Sequence, residues 1–379
     1  MADRLKVLVF GTGFAGQGHV DAFRAAGADI VGIVGRTGGV VSDVARKMAI
    51  PYAGTDWDAA LAACQPDIVS IATPGGTHYA PIKQAIARGC HVFCEKPMTA
   101  SGDTSAELYE LARKRGVKTA YAASFRYTPS VLHAKRLVAE GAIGEPTEVE
   151  CISHFNLERG IPFGWSHSKK DGGGRLNNNF THNLSIVTSV VGETVLSILG
   201  EVRDDLKRAP IVQGVHNFAT RRDYIPEDLN DPSLEWGESD VEWSYTVMAR
   251  LRSSFAAEPV SVLFKHGGLV PRFHDDHIVF YGTKGAIYLK GHYGSGPLSY
   301  WGESKSWAEL PLPPDIQASR PDVTGETEQC WHTLAEIFVR DIRGEEVAPY
   351  PTFREGSRYQ HIIDLIRTND AWTDVQHLA

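Results

Sequence analysis

Six residues near the start of the chain, Gly11-Thr12-Gly13-Phe14-Ala15-Gly16, have the spacing of a phosphate cradle. The first glycine permits a tight turn, the second lets backbone approach a pyrophosphate, and the third lets a helix pack on a strand. Unpaired N–H groups at the helix start then face the anion. Further on, the chain reads Val34-Gly35-Arg36-Thr37-Gly38, with no Asp or Glu between Ile30 and Ser42. At this position a carboxylate accepts from the ribose hydroxyls of a dinucleotide, whereas a cation accommodates a 2′-phosphate. Arg36 can pair with that phosphate and Thr37 can donate to it, so NADP(H) is expected in preference to NAD(H). Two more segments, Thr73-Pro74-Gly75-Gly76-Thr77-His78 and Cys94-Glu95-Lys96-Pro97, read as loops leaving strand ends. Sheets of this type bind ligands beyond the carboxyl ends of their strands, which makes Lys96, stiffened by Pro97, a candidate site group. The same letters also fit a structural turn, an exposed arginine and a surface lysine. Later, Phe163, Trp165, His167, Lys169 and Lys170 precede a glycine run. Aromatic faces suit the apolar side of a sugar, and the lysines suit a carboxylate or phosphate, or simply a solvated loop.

These groups need a scaffold, and the first ~120 residues supply the pattern of parallel strands joined by helices. Strands are expected at Lys6 to Phe10, Asp29 to Val34, Ile68 to Thr73, His91 to Cys94 and Thr119 to Ala122, with amphipathic helices between them. This predicts an α/β, Rossmann-type, doubly wound parallel sheet over residues 1–123. Residues 124–379 change texture. After a helix at Pro129 to Glu140 come period-2 runs at Glu148 to Phe155, Trp243 to Leu251 and Val260 to Phe264, and a hairpin turning at Gly282 to Gly285. The second domain is therefore expected to be α+β with a large, mostly antiparallel open sheet. Two long irregular regions, Asn156 to Arg175 and Arg203 to Glu238, have the length of lids, binding loops or assembly arms.

The 379 residues carry 38 Lys and Arg against 46 Asp and Glu, a net charge of −8. No broad cationic surface is left for nucleic acid or an anionic membrane. The apolar runs are short and no signal region opens the chain, so a soluble, unexported, cytoplasmic protein is expected. Five scattered cysteines suit a reducing compartment. The letters Arg272-Phe273-His274-Asp275-Asp276-His277 lead into a strand, and no metal site is expected from them.

In Gly11 to Gly16, Pro74 to His78 and Glu95-Lys96-Pro97 the sequence resembles the Gfo/Idh/MocA oxidoreductases, which include glucose-fructose oxidoreductase and inositol dehydrogenase. The resemblance continues through Phe125-Arg126-Tyr127-Thr128-Pro129, Gly141 to Pro146, Gly282 to Gly285 and Phe353-Arg354-Glu355-Gly356. It implies cofactor contacts from Gly11, Gly13, Phe14, Ala15, Gly16, Thr73, Pro74, His78, Glu95, Lys96 and Arg126. It also implies an open sheet that supports a homodimer or homotetramer, and hydride transfer on sugars, cyclitols or related compounds.

The family's second signature is a glycine-rich segment followed by an Asp and, four residues later, a His. It aligns with Gly172 to His182, placing Asn178 where the Asp is usual, Phe180 where a glycine is usual, and His182 on the histidine. On one helix the spacing would put Asn178 and His182 on the same face, toward a nicotinamide. The change to Asn removes an anion that would hold Lys96 or His182 charged, but keeps a hydrogen-bonding group for substrate. Lys96, His182 and Asn178 are thus the catalytic candidates, with Phe163, Trp165, Asn178 and His182 toward the substrate. A histidine at its ordinary pKa of ~6.5 needs no tuning, whereas a lysine at ~10.4 must be desolvated, so His182 is the first choice for proton transfer. Two rival readings on the same scaffold are a glycosidase that uses a tightly held nicotinamide, and a non-catalytic, cofactor-sensing regulator.

Overall fold

The computed structural model describes residues 4–192, 194–215, 220–271 and 276–378. Six parallel strands, β1 (Lys6–Phe10), β2 (Asp29–Val34), β3 (Ala53–Gly54), β4 (Ile68–Ile71), β5 (His91–Cys94) and β6 (Thr119–Tyr121), lie in the order β3-β2-β1-β4-β5-β6. Helices α1 (Phe14–Ala25), α2 (Gly38–Lys47), α3 (Trp57–Cys64), α4 (Tyr79–Ala87) and α5 (Gly102–Arg115) connect them. Val7, Leu8 and Val9 of the central strand are all fully buried, as expected when helices cover both faces of a parallel sheet. Strand order reverses between β1 and β4, which opens a crevice at their carboxyl ends.

Beyond α6 (Pro129–Ala139) lies a nine-stranded mixed sheet. Its strands are β7 (Pro146–His154), β8 (Thr194–Arg203), β11 (Ser244–Arg252), β12 (Val260–Gly267), β13 (His277–Gly282), β14 (Ala286–Lys290), β15 (Leu298–Trp301), β16 (Trp307–Leu310) and β17 (Thr373–Asp374). They run in the order β16-β15-β14-β13-β7-β12-β11-β8-β17, and only the β7–β12 pair is parallel. The turn between β13 and β14 closes with Gly282 N–H donating to Gly285 O at 2.8 Å. A small ribbon, β9 (Arg208–Pro210) with β10 (Trp236–Glu238), stands apart within the second long irregular region.

Alternation along β11 explains the sheet's two faces. Val247, Ala249 and Leu251 are buried in one core cluster with Leu184, Val187 and Val191 of α7 (Thr181–Val191), whereas Met248 and Arg250 are exposed. After the short α8 (Pro314–Ala318), helix α9 (Glu326–Ile342) returns to the nucleotide-type sheet, and Trp331, Leu334 and Phe338 share a core with Val20 and Phe23 of α1. Gly18 permits that approach, since a Cβ there would lie 2.4 Å from the Trp331 ring. Helix α10 (Phe353–Thr368) lies along α5, where Asp364 accepts from the Gly102 N–H at 2.7 Å. Residues 272–275 of the metal-like letters lie outside the described residues. Asp276 accepts from the His154 N–H at 2.8 Å and faces the His292 ring. Among the described residues no helix is long and apolar enough to cross a membrane.

Candidate active site

β1 hands the chain to Gly11, whose φ of +123° lies in a region only glycine enters freely. A Cβ there would sit 2.3 Å from the Ala72 carbonyl oxygen, and one on Gly16 would sit 2.0 Å from the Gly11 carbonyl oxygen. Gly13, in contrast, has open space around it and starts α1 with no side-chain cap. The first N–H groups of α1 are therefore left without a side-chain acceptor at a turn bare of side chains, which fits a pyrophosphate. Phe14 is half-exposed beside Trp331, with ring centroids 5.3 Å apart, and Ala15 packs on the same core. Arg36 and Thr37 follow β2 and are exposed, and the Thr37 hydroxyl makes no cap bond to α2. A Cβ on Gly35 would come within 2.9 Å of both Thr12 and Val41, so a carboxylate-bearing side chain has no room at that position.

The β4 loop holds its shape through the Thr77 hydroxyl, which donates to Pro74 O at 2.8 Å and lies 2.9 Å from Thr73 Oγ1. His78 turns inward. It is fully buried, with Nε2 2.7 Å from Thr73 O and Nδ1 3.1 Å from Met98 O, and burial lowers its pKa. It ties the β4 loop to the β5 loop. Arg126 is also buried, donating to Ser185 Oγ at 2.8 Å, and Ser185 donates in turn to Ala123 O, which fastens the end of the first sheet to α7.

At the end of β5, Glu95 Oε1 accepts from Trp331 Nε1–H at 2.7 Å and lies 3.3 Å from His19 Nε2, while Oε2 accepts from the Lys96 N–H. Burial pushes the Glu95 carboxyl up, but His19, the Lys96 charge and Trp331 more than offset it, and its pKa ends below the usual value. Lys96 Nζ reaches the backbone oxygen of Asn178 at 3.4 Å, a contact between the two sheets' loops. Burial lowers the Lys96 pKa to about 8, with Glu95 opposing and Arg175 assisting.

The glycine run is held by a buried clamp. A Cβ on Gly174, at φ +97°, would meet Glu242 Oε1 at 2.3 Å. Glu242 accepts from Arg367 through both carboxylate oxygens at 3.0 Å and from the Leu176 N–H at 2.9 Å. Arg367 also donates to Gly173 O. The clamp leads into a π-helical turn, Leu176–Phe180, before α7 begins. Asn178 thus lies in a π-helical turn and His182 in the first turn of α7, where the spacing implied one α-helix. Phe180 fills the core against Tyr245 and Phe264.

His182 is 5% exposed, its ring lies against Phe125 and Tyr293, and its Nδ1 is buried with no partner. Burial, then the charges of Lys96, His292 and Arg175, push its pKa well below that of a free histidine. The expectation that His182 needs no tuning is overturned, since protonating it here means adding a third charge beside two cations. Phe163 and Trp165 brace the fold near the glycine run. A Cβ on Gly237 would lie 2.5 Å from the Phe163 ring, and one on Gly173 would lie 2.6 Å from the Trp165 carbonyl oxygen. An open cavity of about 720 Å³ has Phe155, Arg222, Pro271 and His292 in its wall, and neither Phe163 nor Trp165.

Arg175 escaped the sequence reading. Its Nε donates to His266 Nε2 at 2.9 Å, its Nη1 donates to Asn178 Oδ1 at 3.0 Å, and the guanidinium lies 4.8 Å over the Phe155 ring. The signal was present as a cation three residues before Asn178.

A profile of the GFO/IDH/MocA oxidoreductase family, described by its NAD-binding Rossmann fold, matches residues 5–123, and that of the GFO/IDH/MocA C-terminal domain matches residues 131–288. Levoglucosan dehydrogenase of Pseudarthrobacter phenanthrenivorans is 27% identical over 157 residues, 41% of this chain and 40% of that protein. D-glucoside 3-dehydrogenase of Escherichia coli is 32% identical over 156 residues, 39% of this chain and 43% of that protein. The chain spans about half the length of the curated relatives it matches. In three dimensions a levoglucosan dehydrogenase complex with NADH and L-sorbose superposes with a TM-score of 0.82 at 21% identity, covering 98% of this chain and 99% of that one.

Proposed function

The chain belongs to the Gfo/Idh/MocA oxidoreductase family, and from that premise we propose that it is an NADP(H)-preferring dehydrogenase or reductase of a sugar, cyclitol or related polyol. The observation that carries this reading is the contact of Lys96, from the end of β5, with Asn178, from the turn before α7. It brings an amine of lowered pKa from the end of β5 against the turn before α7, and the uncapped glycine turn after β1 supports a dinucleotide site on the same sheet. Gly11, Gly13 and Gly16 would hold the pyrophosphate, Thr73, Pro74 and Lys96 would flank the nicotinamide, and Arg36 with Thr37 would meet the 2′-phosphate. When bound, the dinucleotide accepts or supplies the hydride. Lys96 takes the hydroxyl proton in oxidation and returns it in reduction, while neutral His182 and Asn178 orient the reacting oxygen. The dehydrogenase names of the matched relatives support the substrate class. The exposed face of the nine-stranded sheet supports a homodimer or homotetramer, and five free cysteines fit a cytoplasmic setting.

The test is fluorescence titration of NADPH and NADH, followed by nicotinamide absorbance across a panel of sugars, cyclitols and their ketones. NADPH should bind more tightly, and Arg36→Ala should weaken NADPH about tenfold or more while sparing NADH, the value of one lost charged hydrogen bond. Equal affinity for both cofactors would remove Arg36 from the reading. A chain that binds cofactor yet turns over nothing in the panel would be a sensor and not an enzyme.

A further inference from the structure

The site holds a buried cation, Arg175, that feels the charges of Glu242 and Asp276 but has no direct ion-pair partner among the described residues. Arg175 is 7% exposed, and its three nitrogens meet a histidine, an amide oxygen and, at Nη2, nothing. His266 accepts from Arg175 through Nε2 and lies 3.0 Å from Ser153 Oγ through Nδ1, so it is a neutral ring and carries no compensating charge. Among the described residues no carboxylate lies at ion-pair distance from Arg175. The buried acids nearby are committed elsewhere: Glu242 to Arg367 and the Leu176 N–H, Asp276 to the His154 N–H and the His292 ring, and Glu95 to Trp331 and His19. Lys96 adds a second positive group, 3.4 Å from the Asn178 backbone oxygen. Glu158, on the cavity wall, is an exposed carboxylate.

A buried guanidinium with an unused donor is costly unless an anion arrives to complete it. A carboxylate at position 178 would be that anion, but Asn178 offers Arg175 only a neutral amide oxygen. We propose that Arg175 is the carboxylate-binding residue of the substrate pocket, and that the substrate is a hydroxy acid of the sugar-acid type, an aldonate or uronate. This rests on the oxidoreductase reading above and narrows its substrate class. The carboxylate enters beside half-buried Asn178, replaces the amide oxygen on Nη1 and satisfies Nη2 in the same planar fork, the geometry that favours arginine for carboxylates. The carbinol carbon of the same molecule then lies toward Lys96.

The test compares matched pairs, glucose with gluconate and glucuronate, and glucose 6-phosphate as the other anionic source, by kcat/KM with either cofactor and by thermal shift of the cofactor-bound protein. The acids should exceed the neutral sugar by at least tenfold in kcat/KM, and should raise the melting temperature where glucose does not. Arg175→Met should raise KM for the acids about a hundredfold and abolish their thermal shift, and Arg175→Lys should recover part of both. Asn178→Asp, which supplies the missing anion internally, should erase the preference even if Arg175→Met fails to fold. Turnover of glucose with none of the acids overturns the proposal and leaves the oxidoreductase intact. Preference for the phosphate ester over both acids overturns the carboxylate assignment. No turnover of any compound, with a thermal shift by gluconate that Arg175→Met abolishes, would sink the oxidoreductase reading and keep the anion site.

Discussion

Lys96 and His182 exchange the roles that their ordinary acidities assign them. Lysine titrates too high to work near neutrality, yet burial brings Lys96 down to about 8. Histidine is suited by default, yet burial and adjacent cations push His182 out of range. Removing a hydroxyl proton needs neutral Lys96, present above about pH 8, whereas delivering one needs the ammonium, present below it. Oxidation should therefore accelerate as pH rises through about 8, and reduction should slow over the same interval. Lys96→Met should lower turnover by roughly 10²- to 10⁴-fold and flatten the profile, the usual effect of losing general acid-base catalysis. His182→Ala should cost about tenfold, the value of one orienting hydrogen bond. A His182→Ala enzyme as impaired as Lys96→Met, with the titration near pH 8 surviving in the latter, would return proton transfer to His182. Sequence alone could name both residues but not rank them, because the ranking depends on which charges surround each ring or amine after folding.

Among elements, the turn from Gly172 to Phe180 positions Asn178 and Arg175, and it is held from outside by Glu242 and Arg367. Their side chains are 3% and 7% exposed, so removing one partner leaves the other as an unpaired buried charge. Glu242→Gln should lower stability by about 3–5 kcal/mol, read from urea unfolding, and Glu242→Met with Arg367→Met together should cost less than either alone. An unchanged urea midpoint in Glu242→Gln would show that the clamp does not hold the turn. Neither partner was legible beforehand, since Glu242 lies 68 residues beyond Gly174 and Arg367 lies 125 beyond Glu242, and no spacing rule joins them. What was legible is local: the strands β1, β2 and β5 and the β13–β14 hairpin follow from apolar runs and glycine turns. The π turn was missed because its sequence satisfies a four-residue spacing that an α-helix would also satisfy. Helix α9 shows the same limit, since Trp331 reaches Glu95 from 236 residues away and completes a motif that reads as finished without it.

For the whole molecule, the outer face of the nine-stranded sheet decides assembly. Side chains paired across the strands share a face, and the register aligns Leu199 with Met248, Met248 with Leu263, Val279 with Tyr288, and Glu150 between Leu263 and Val279. The row crosses six strands and is apolar on five of them before it reaches Ser299 and Glu309 toward the sheet edge. Met248 is 47% exposed and Tyr281, on the same side one turn of the pleat away, is 37% exposed. An apolar stripe of this extent on one side of a sheet is favourable only when covered, and a second copy offers the same stripe in return. A two-fold pairing would bury roughly 800 Å² or more on each partner if it behaves as a stable interface. Light scattering should therefore give a dimer or tetramer mass. Met248→Glu with Leu263→Lys should shift the mass toward the monomer while NADPH affinity stays within about twofold, because the cradle at Gly11 to Gly16 belongs to the other sheet. A wild-type mass that stays monomeric at every concentration would leave the stripe to some other partner and take the homo-oligomer with it.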